Sequence, residues 1–361
     1  MVIVKMSRIL SLICVITLLL DTVSGEDVTK ATIGSVEPPK MGSQDLNLED
    51  LINPDIETAI QKLEKLAETL DQLNIDDSKL IADPEEISEE MTKLVHYINE
   101  AVKLNPNNAY KFLKAKGLDR IVSQDLKVDD DKLKVHVLIL LKLLFEVAPT
   151  TTSAVIPITV VDRLLDIFEI DNLALKAHSL DVLYLWLPDN PKVQARVMKL
   201  KGLVPFYEQA AKLDTSGIKT LLDLFNKILK EHLIVREDPQ KTIVEPEKMK
   251  FYIRTGLLEH MATPAVCNGL LNIFIKTWTY STDENNIIAT VFDMLKVMKK
   301  FCLKMYRGKV KAKKLFAALQ EYVKEPENID YFEANGLNVT DVSLVVEEYV
   351  DKIRSSVKDE M

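Results

Sequence analysis

The 361-residue chain carries a formal net charge of −9, with 47 % apolar residues, 6 % aromatic residues and 10 glycines. Sparse glycine among abundant apolar residues argues against a turn-rich β architecture and for helices. The acidic balance argues against nucleic acid as a partner, because a phosphate backbone selects basic surface.

In residues 1–25, Lys5 and Arg8 precede a 12-residue apolar run from Ile9 to Leu20, and the segment closes on Ser24 and Gly25. That charged, apolar, small-residue order predicts a secretory signal peptide. The run falls short of the about 20 residues a membrane-spanning helix needs, which disfavours an anchor. No later stretch is apolar for long enough, since even HVLILLKLLFEVA is broken by Lys142 and Glu146. The expectation is a soluble, lumenal or secreted chain beginning near Glu26.

The acidity is concentrated directly after this leader. Residues 26–90 hold 18 acidic and 5 basic residues, against a net of +3 for 91–361. Residues 26–50 have little periodicity and a Pro38-Pro39 pair, and read as a flexible acidic arm. In 51–83, Ile56, Ile60, Leu63, Leu66, Leu70 and Leu73 recur at three and four residues, predicting an amphipathic helix followed by a linker. Its seam is too short for a stable coiled coil, so it should dock on its own body or on a partner. The folded body is expected to begin near Pro84.

An internal repeat then sets the fold class. KAKGLDRIVSQDL, PITVVDRLLDIFE, KLKGLVPFYEQAA and IRTGLLEHMATPA place Gly117, Val160, Gly202 and Gly256 in register, at separations of 43, 42 and 54. Periods near 42 belong to helical solenoids, and the longer third spacing matches the charged insertion VREDPQKTIVEPEK. Long apolar helices (DKLKVHVLILLKLLFEVAP, LALKAHSLDVLYLWLPDNP, SGIKTLLDLFNKILKEH, AVCNGLLNIFIKTWTY) alternate with a break, a short basic helix and a Gly-Leu step into a third helix. Glycine at the step permits a sharp turn at positive φ. The segment EEMTKLVHYINEAVKLNPNNAYKFLKAKGL supplies the first copy. This unit resembles the armadillo repeat. The expected fold is all-α, an armadillo-like right-handed helical solenoid of four to five repeats over 84–280, with 281–357 as a C-terminal helical capping region.

Chemical signals are few. His96, His136, His178, His232 and His260 fall one per repeat with no sequence pair at metal-ligand spacing, and no phosphate loop, dinucleotide fingerprint or nucleophile elbow is present. No catalytic residue, cofactor or metal is therefore expected, and the chain reads as a non-enzyme. After the leader only Cys267 and Cys302 remain, both in apolar surroundings; one bridge is possible, and buried free thiols are the favoured reading. Asn338-Val339-Thr340 is the single glycosylation sequon. Nine Lys/Arg residues between Lys296 and Lys314 read as the solvated side of a late helix or as a patch for an acidic partner or membrane surface. The chain ends Lys358-Asp359-Glu360-Met361, one side chain from the Lys-Asp-Glu-Leu retention signal, which predicts residence in the endoplasmic reticulum lumen and capture by its retrieval receptor.

The combination of leader, tail, acidic arm and helical array resembles the Sil-type nucleotide exchange factors of BiP, the lumenal heat-shock chaperone. LVHYINEAVKLNPNNAYKFLKAKGLDRIV and KLKGLVPFYEQA carry the resemblance. It implies a co-chaperone without bond chemistry, which grips the ATPase domain and promotes ADP release; the capping repeats and mixed surface separately point toward a monomer. Met361 departs from the usual final leucine. The third helices would then supply the concave contact face, with Lys116, Asp119, Arg120, Asp162, Arg163, Lys201, Glu208, Arg254 and Glu259 as candidates. The alternative is a secretory-pathway scaffold or adaptor that binds an extended peptide.

Overall fold

The computed structural model describes residues 55–75, 83–153, 158–237, 246–279, 287–334 and 336–354. The expected leader 1–25, arm 26–50 and tail Lys358–Met361 lie outside the described residues. All elements among those described are helical: α1 (Ile56–Ile75), α2 (Pro84–Leu104), α3 (Asn107–Lys114), α4 (Asp131–Val147), α5 (Ile158–Glu169), α6 (Leu173–Trp186), α7 (Pro191–Leu200) and α8 (Val204–Ala210). They continue as α9 (Thr215–Glu237), α10 (Pro246–Thr255), α11 (Leu257–Met261), α12 (Pro264–Thr279), α13 (Ile287–Tyr306), α14 (Val310–Lys324), α15 (Pro326–Ala334) and α16 (Val339–Arg354). A π-helical turn at Leu118–Val122 runs into Ser123–Asp125, and a 3-10 turn spans Pro149–Ser153.

The long helices start where the sequence supplies side-chain caps. Asp130 accepts from Leu133 N at 2.8 Å, Asn172 from Ala174 N at 3.0 Å and Asp214 from Gly217 N at 2.8 Å, each satisfying an orphan donor of a first turn. These caps recur every 42 residues, so the repeat period is written in the N-caps as well as in the Gly-Leu steps. Between caps the apolar residues face more than one neighbour. In α4, Leu133, Val137, Leu138, Leu140, Leu141, Leu144 and Phe145 are all buried, as a helix covered on most sides requires.

Helices α2, α4, α6, α9, α13 and α16 each pack on the next, forming a row of long helices. The shorter helices make a second layer, in which α5 packs on α7 and α8, α7 on α10, and α8 on α12. This is an all-α, armadillo-like repeat array, built from contacts between neighbours along the chain. The regular order changes after α11. Helix α12, expected as the next long helix of the row, packs on α8 and α13, and α13 takes the place beside α9.

Helix α1 belongs to the packed body. Its Ile56, Ala59, Ile60, Leu63 and Leu70 are buried in the same continuous core as α2 and α4, so that core starts upstream of Pro84. Cys267 on α12 and Cys302 on α13 are joined by a disulfide with a Cα–Cα distance of 5.3 Å, which corrects the expectation of free buried thiols. The apolar contexts of the two cysteines are opposite sides of one interface, a relation that 35 residues of separation conceal.

Candidate functional site

The nine residues expected on a contact face lie in and around the second layer; Asp119 N and Arg120 N donate to the Lys116 carbonyl, each at 3.0 Å, and no side-chain hydrogen bond or ion pair joins any two of the nine among the described residues. Four are held within the molecule. Arg120 donates through Nε to Glu64 Oε1 at 2.6 Å, through Nη1 to Glu57 Oε1 at 2.9 Å, and to the Ala115 carbonyl at 3.0 Å. The Arg120 guanidinium holds the Glu64 and Glu57 carboxyls below the usual carboxylate range. Arg196 Nε on α7 donates to Asp162 Oδ1 on α5 at 3.0 Å, and Lys201 reaches Glu169 at 3.1 Å and Asp166 at 3.4 Å. Glu259 accepts from Arg236 at 2.8 Å.

Arg163 lies 3.9 Å from Asp166 on its own helix, a weak surface pair. Lys116, Asp119, Glu208 and Arg254 are exposed and make no ion pair with another described residue. They are the members of the set whose charges are open to a partner. Asn338 is exposed, and its Oδ1 accepts from Thr340 N at 2.9 Å as the cap of α16.

The row of long helices carries a second, unforeseen set. Each junction has a polar rung at the edge of the apolar core. Between α4 and α6, Lys142 Nζ donates to Asp181 Oδ2 at 2.8 Å. Between α6 and α9, Lys227 donates to the Tyr184 hydroxyl and lies 3.8 Å from the centre of its ring, a cation–π contact. Between α9 and α13, Lys230 meets Asp293 at 3.1 Å and Thr290 donates to Asp223 at 3.0 Å; between α13 and α16, Lys296 meets Asp341 at 3.2 Å. At the α2–α4 junction the rung is the pair His96 and His136, with Asn99 Nδ2 donating to the His136 carbonyl at 3.0 Å. The sequence signal is a lone charge in an apolar helix, such as Lys142 and Asp181, which in one dimension looks only like an interruption of a hydrophobic run.

The repeated Lys-x-His of α4 and α6 divides its work between the layers. Lys134 and Lys176 turn inward. Lys176 is 1 % exposed, and its Nζ donates to the Phe168 carbonyl at 2.9 Å, at the C-terminal turn of α5, and to Gln209 at 2.8 Å. Burial pushes its pKa down. His136 and His178 stay half exposed along the row.

A buried network ties α9 to three other segments. Glu231 accepts from Asp189 N at 3.0 Å, Gln194 Nε2 at 2.9 Å and Tyr252 OH at 3.0 Å. His232 Nε2 lies 2.8 Å from Gln194 Oε1, and burial pushes the imidazole down to about 4. A cleft of about 320 Å³ opens beside it, lined by His232, Tyr252, Ile253, Leu257 and Glu259 among others. Every polar group of Glu231 is satisfied, so this network positions helices. Among the described residues no helix is long and apolar enough to cross a membrane. The basic run is partly paired: Lys296 and Lys299 meet Asp341 and Glu348, while Lys304, Lys311, Lys313 and Lys314 are exposed.

No family model matches the sequence, and no curated protein matches it. Similar solved structures include an engineered protein, 15 % identical over 81 % of this chain and 99 % of its own, with a TM-score of 0.39. A designed armadillo repeat protein is 11 % identical over 81 % of this chain and 100 % of its own, again with a TM-score of 0.39. The fold assignment rests on the helix packing described above. These likenesses say nothing of what the chain binds.

Proposed function

We propose that the chain is a nucleotide exchange factor for the endoplasmic reticulum chaperone BiP, acting by binding alone. The observation that carries this reading is the likeness of residues 94–122 and 199–210 to the Sil-type factors; these segments fall in α2, α3, the 118–122 turn, α7 and α8 of the array. Further support comes from the leader-like residues 1–25 and the Lys358–Met361 tail, which would bring the chain to the compartment where BiP resides and return it through the retrieval receptor. Asn338, exposed at the N-cap of α16, would carry the glycan there.

The mechanism is a difference in affinity. A protein that binds the open ATPase domain more tightly than the closed, nucleotide-filled one shifts the domain toward opening by that difference and no more. A coupling of about 4 kcal/mol changes nucleotide affinity about a thousandfold, and nucleotide weakens the complex by the same factor. ADP leaves, ATP enters, and client is released. Lys116, Asp119, Glu208 and Arg254 are the contacts this reading favours among the nine, because their charges are open.

The test mixes residues 26–361 with BiP carrying labelled ADP and follows release. Acceleration that falls with Glu208→Arg and Arg254→Glu, in variants whose helical content is unchanged, supports the reading. Release that stays at its spontaneous rate with saturating protein overturns it, and the peptide-binding scaffold then becomes the better account.

A further inference from the structure

Residues 338–340 form the one sequon of the chain, and Asn338 itself lines a cleft of about 200 Å³ between α13 and α16. Buried Phe292 of α13 and Val342 and Val345 of α16 give the cleft an apolar floor, while Asp293 and Lys296 of α13 and Asp341 of α16 supply charged groups at its edge. Its volume is below the about 300–1,000 Å³ of sites for drug-sized ligands, so it has room for a small ring and little more. A cleft that sets apolar carbon beside donors and acceptors suits a single sugar, whose C–H face and hydroxyls carry the same mixture.

The backbone fixes the direction in which the Asn338 side chain leaves the chain. After α15, Gly336 takes φ +71°, with Leu337 N donating to the Phe332 carbonyl at 2.9 Å and Gly336 N to that of Glu333 at 3.0 Å, the two bonds of a Schellman turn. Two residues on, Asn338 Oδ1 accepts from Thr340 N at 2.9 Å and from Asp341 N at 3.3 Å. Oδ1 and Nδ2 lie on opposite sides of one planar amide. Holding Oδ1 on the first turn of α16 therefore leaves Nδ2, the atom to which an Asn-linked glycan is joined, facing away from that turn.

We propose that this cleft is the seat of the innermost N-acetylglucosamine of a glycan on Asn338, and that the seated sugar ties α16 to α13. The tether identifies the occupant: a sugar joined to a residue of the cleft wall is held there at high effective concentration, so contacts too weak to capture a free sugar suffice. Lys296 donates to a hydroxyl or to the acetamide oxygen, and Asp293 accepts from a hydroxyl. The ion pairs these two make, to Asp341 at 3.2 Å and to Lys230 at 3.1 Å, are solvent-accessible and cost little to share. The proposal rests on the secretory-pathway part of the reading above and makes no use of exchange on BiP.

The experiment expresses residues 1–361 in a eukaryotic secretory host and first weighs the peptide holding Asn338 by mass spectrometry, which reports the glycan itself. Hydrogen exchange then compares three samples: the full glycan, the same chain trimmed by an endoglycosidase to one N-acetylglucosamine, and the sugar-free Thr340→Ala. That variant destroys the sequon and keeps the cap, to which Thr340 contributes only its backbone N–H. The first two turns of α16 and residues 287–297 of α13 are expected to exchange about tenfold more slowly in both glycosylated samples than in the sugar-free one, with α4 unchanged. Lys296→Ala, at an exposed position, should shrink that difference. An occupied Asn338 with equal exchange in all three samples overturns the seat and leaves the secretory reading standing. Protection conferred by the full glycan and lost on trimming to one sugar overturns it as well, because the contact then lies farther along the glycan. A bare Asn338 removes the occupant and with it the proposal, while the ADP-release test decides the exchange reading by itself.

Discussion

At the scale of single residues, the least expected feature is a carboxyl with nothing to hold it. Asp125, at the end of the first repeat, is 0 % exposed, and neither of its carboxylate oxygens has a hydrogen-bond partner. Burial pushes it up to about 8 from 3.8. Because the folded pKa lies above the unfolded one, the native state binds the extra proton between those values, and stability is lost as pH rises through that window. His232 acts in the opposite sense: its folded pKa lies below the unfolded one, so its contribution is present above about 6.5 and is lost as pH falls toward about 4. Between pH 6.5 and 8 Asp125 contributes a loss, and comparison with Asp125→Asn separates it from other buried groups such as Glu231, which burial also pushes up. Over that interval the wild-type chain should lose about 2 kcal/mol of unfolding free energy on this account, by about 1.4 kcal/mol per pH unit for one proton. Asp125→Asn should remove that slope in denaturant titrations taken at both pH values. A parallel slope in the variant would mean that the carboxyl is ionised in the folded protein. Nothing in QDLKVDDDK marks Asp125 apart from its exposed acidic neighbours, since its burial depends on how the 118–125 segment folds back on the core.

At the scale of elements, the sequence aligns Gly117, Gly202 and Gly256 as equivalent, and the structure separates them. Gly202 and Gly256 take φ of +67° and +61°, the left-handed conformation expected of a step between helices. Gly117 does not. Its φ is −56°, and Lys116 takes the left-handed position with φ 57°. What Gly117 provides is room: a Cβ there would lie 2.4 to 2.6 Å from three ring atoms of Phe112, which is itself fully buried. Gly117→Ala should therefore act as an overpacking change and destabilise by about 1–3 kcal/mol. Adding Phe112→Leu should recover part of that loss, a non-additivity that a double-mutant cycle in denaturant would detect. Additive losses would show that the ring is not the obstacle. The 42-residue period is legible because cap, inward lysine and row histidine all recur with it. The second marker, Val160, is buried inside α5, where no turn is needed. A sequence alignment scores the place of a residue in the repeat, whereas backbone conformation and free space depend on the neighbouring helix.

At the scale of the whole molecule, stability passes from helix to helix, and the ends of the array need covers. Hydrophobic periodicity identifies α1 and its apolar seam; whether that seam closes on the chain itself or on a partner depends on long-range geometry, which periodicity does not contain. Arg120 shows the same gap. Its sequence position suggests a charge open to a partner, and the guanidinium in fact joins the first repeat to Glu57 and Glu64 of α1. Ile56, Ala59, Ile60, Leu63 and Leu70 cover the first repeat, where Met91, Val95 and Ile98 of α2 lie fully buried. The four larger side chains of that set are each worth about 1.5–3 kcal/mol on full burial, so removing α1 withdraws on the order of 6–12 kcal/mol, comparable with the net stability of a domain. In a nearest-neighbour array the loss should appear first where the cover was. Residues 55–361 are expected to melt as 26–361 does, while 84–361 should melt earlier, bind a hydrophobic dye, and exchange the amides of α2 and α3 faster than those of α9 and α13. Arg120→Ala in 55–361 should loosen the same region to a lesser degree, because it removes the ion pairs and leaves the apolar seam. Hydrogen exchange by mass spectrometry resolves these segments. If 84–361 showed unchanged protection in α2, α1 would be an appendage and the array would begin at Pro84 after all.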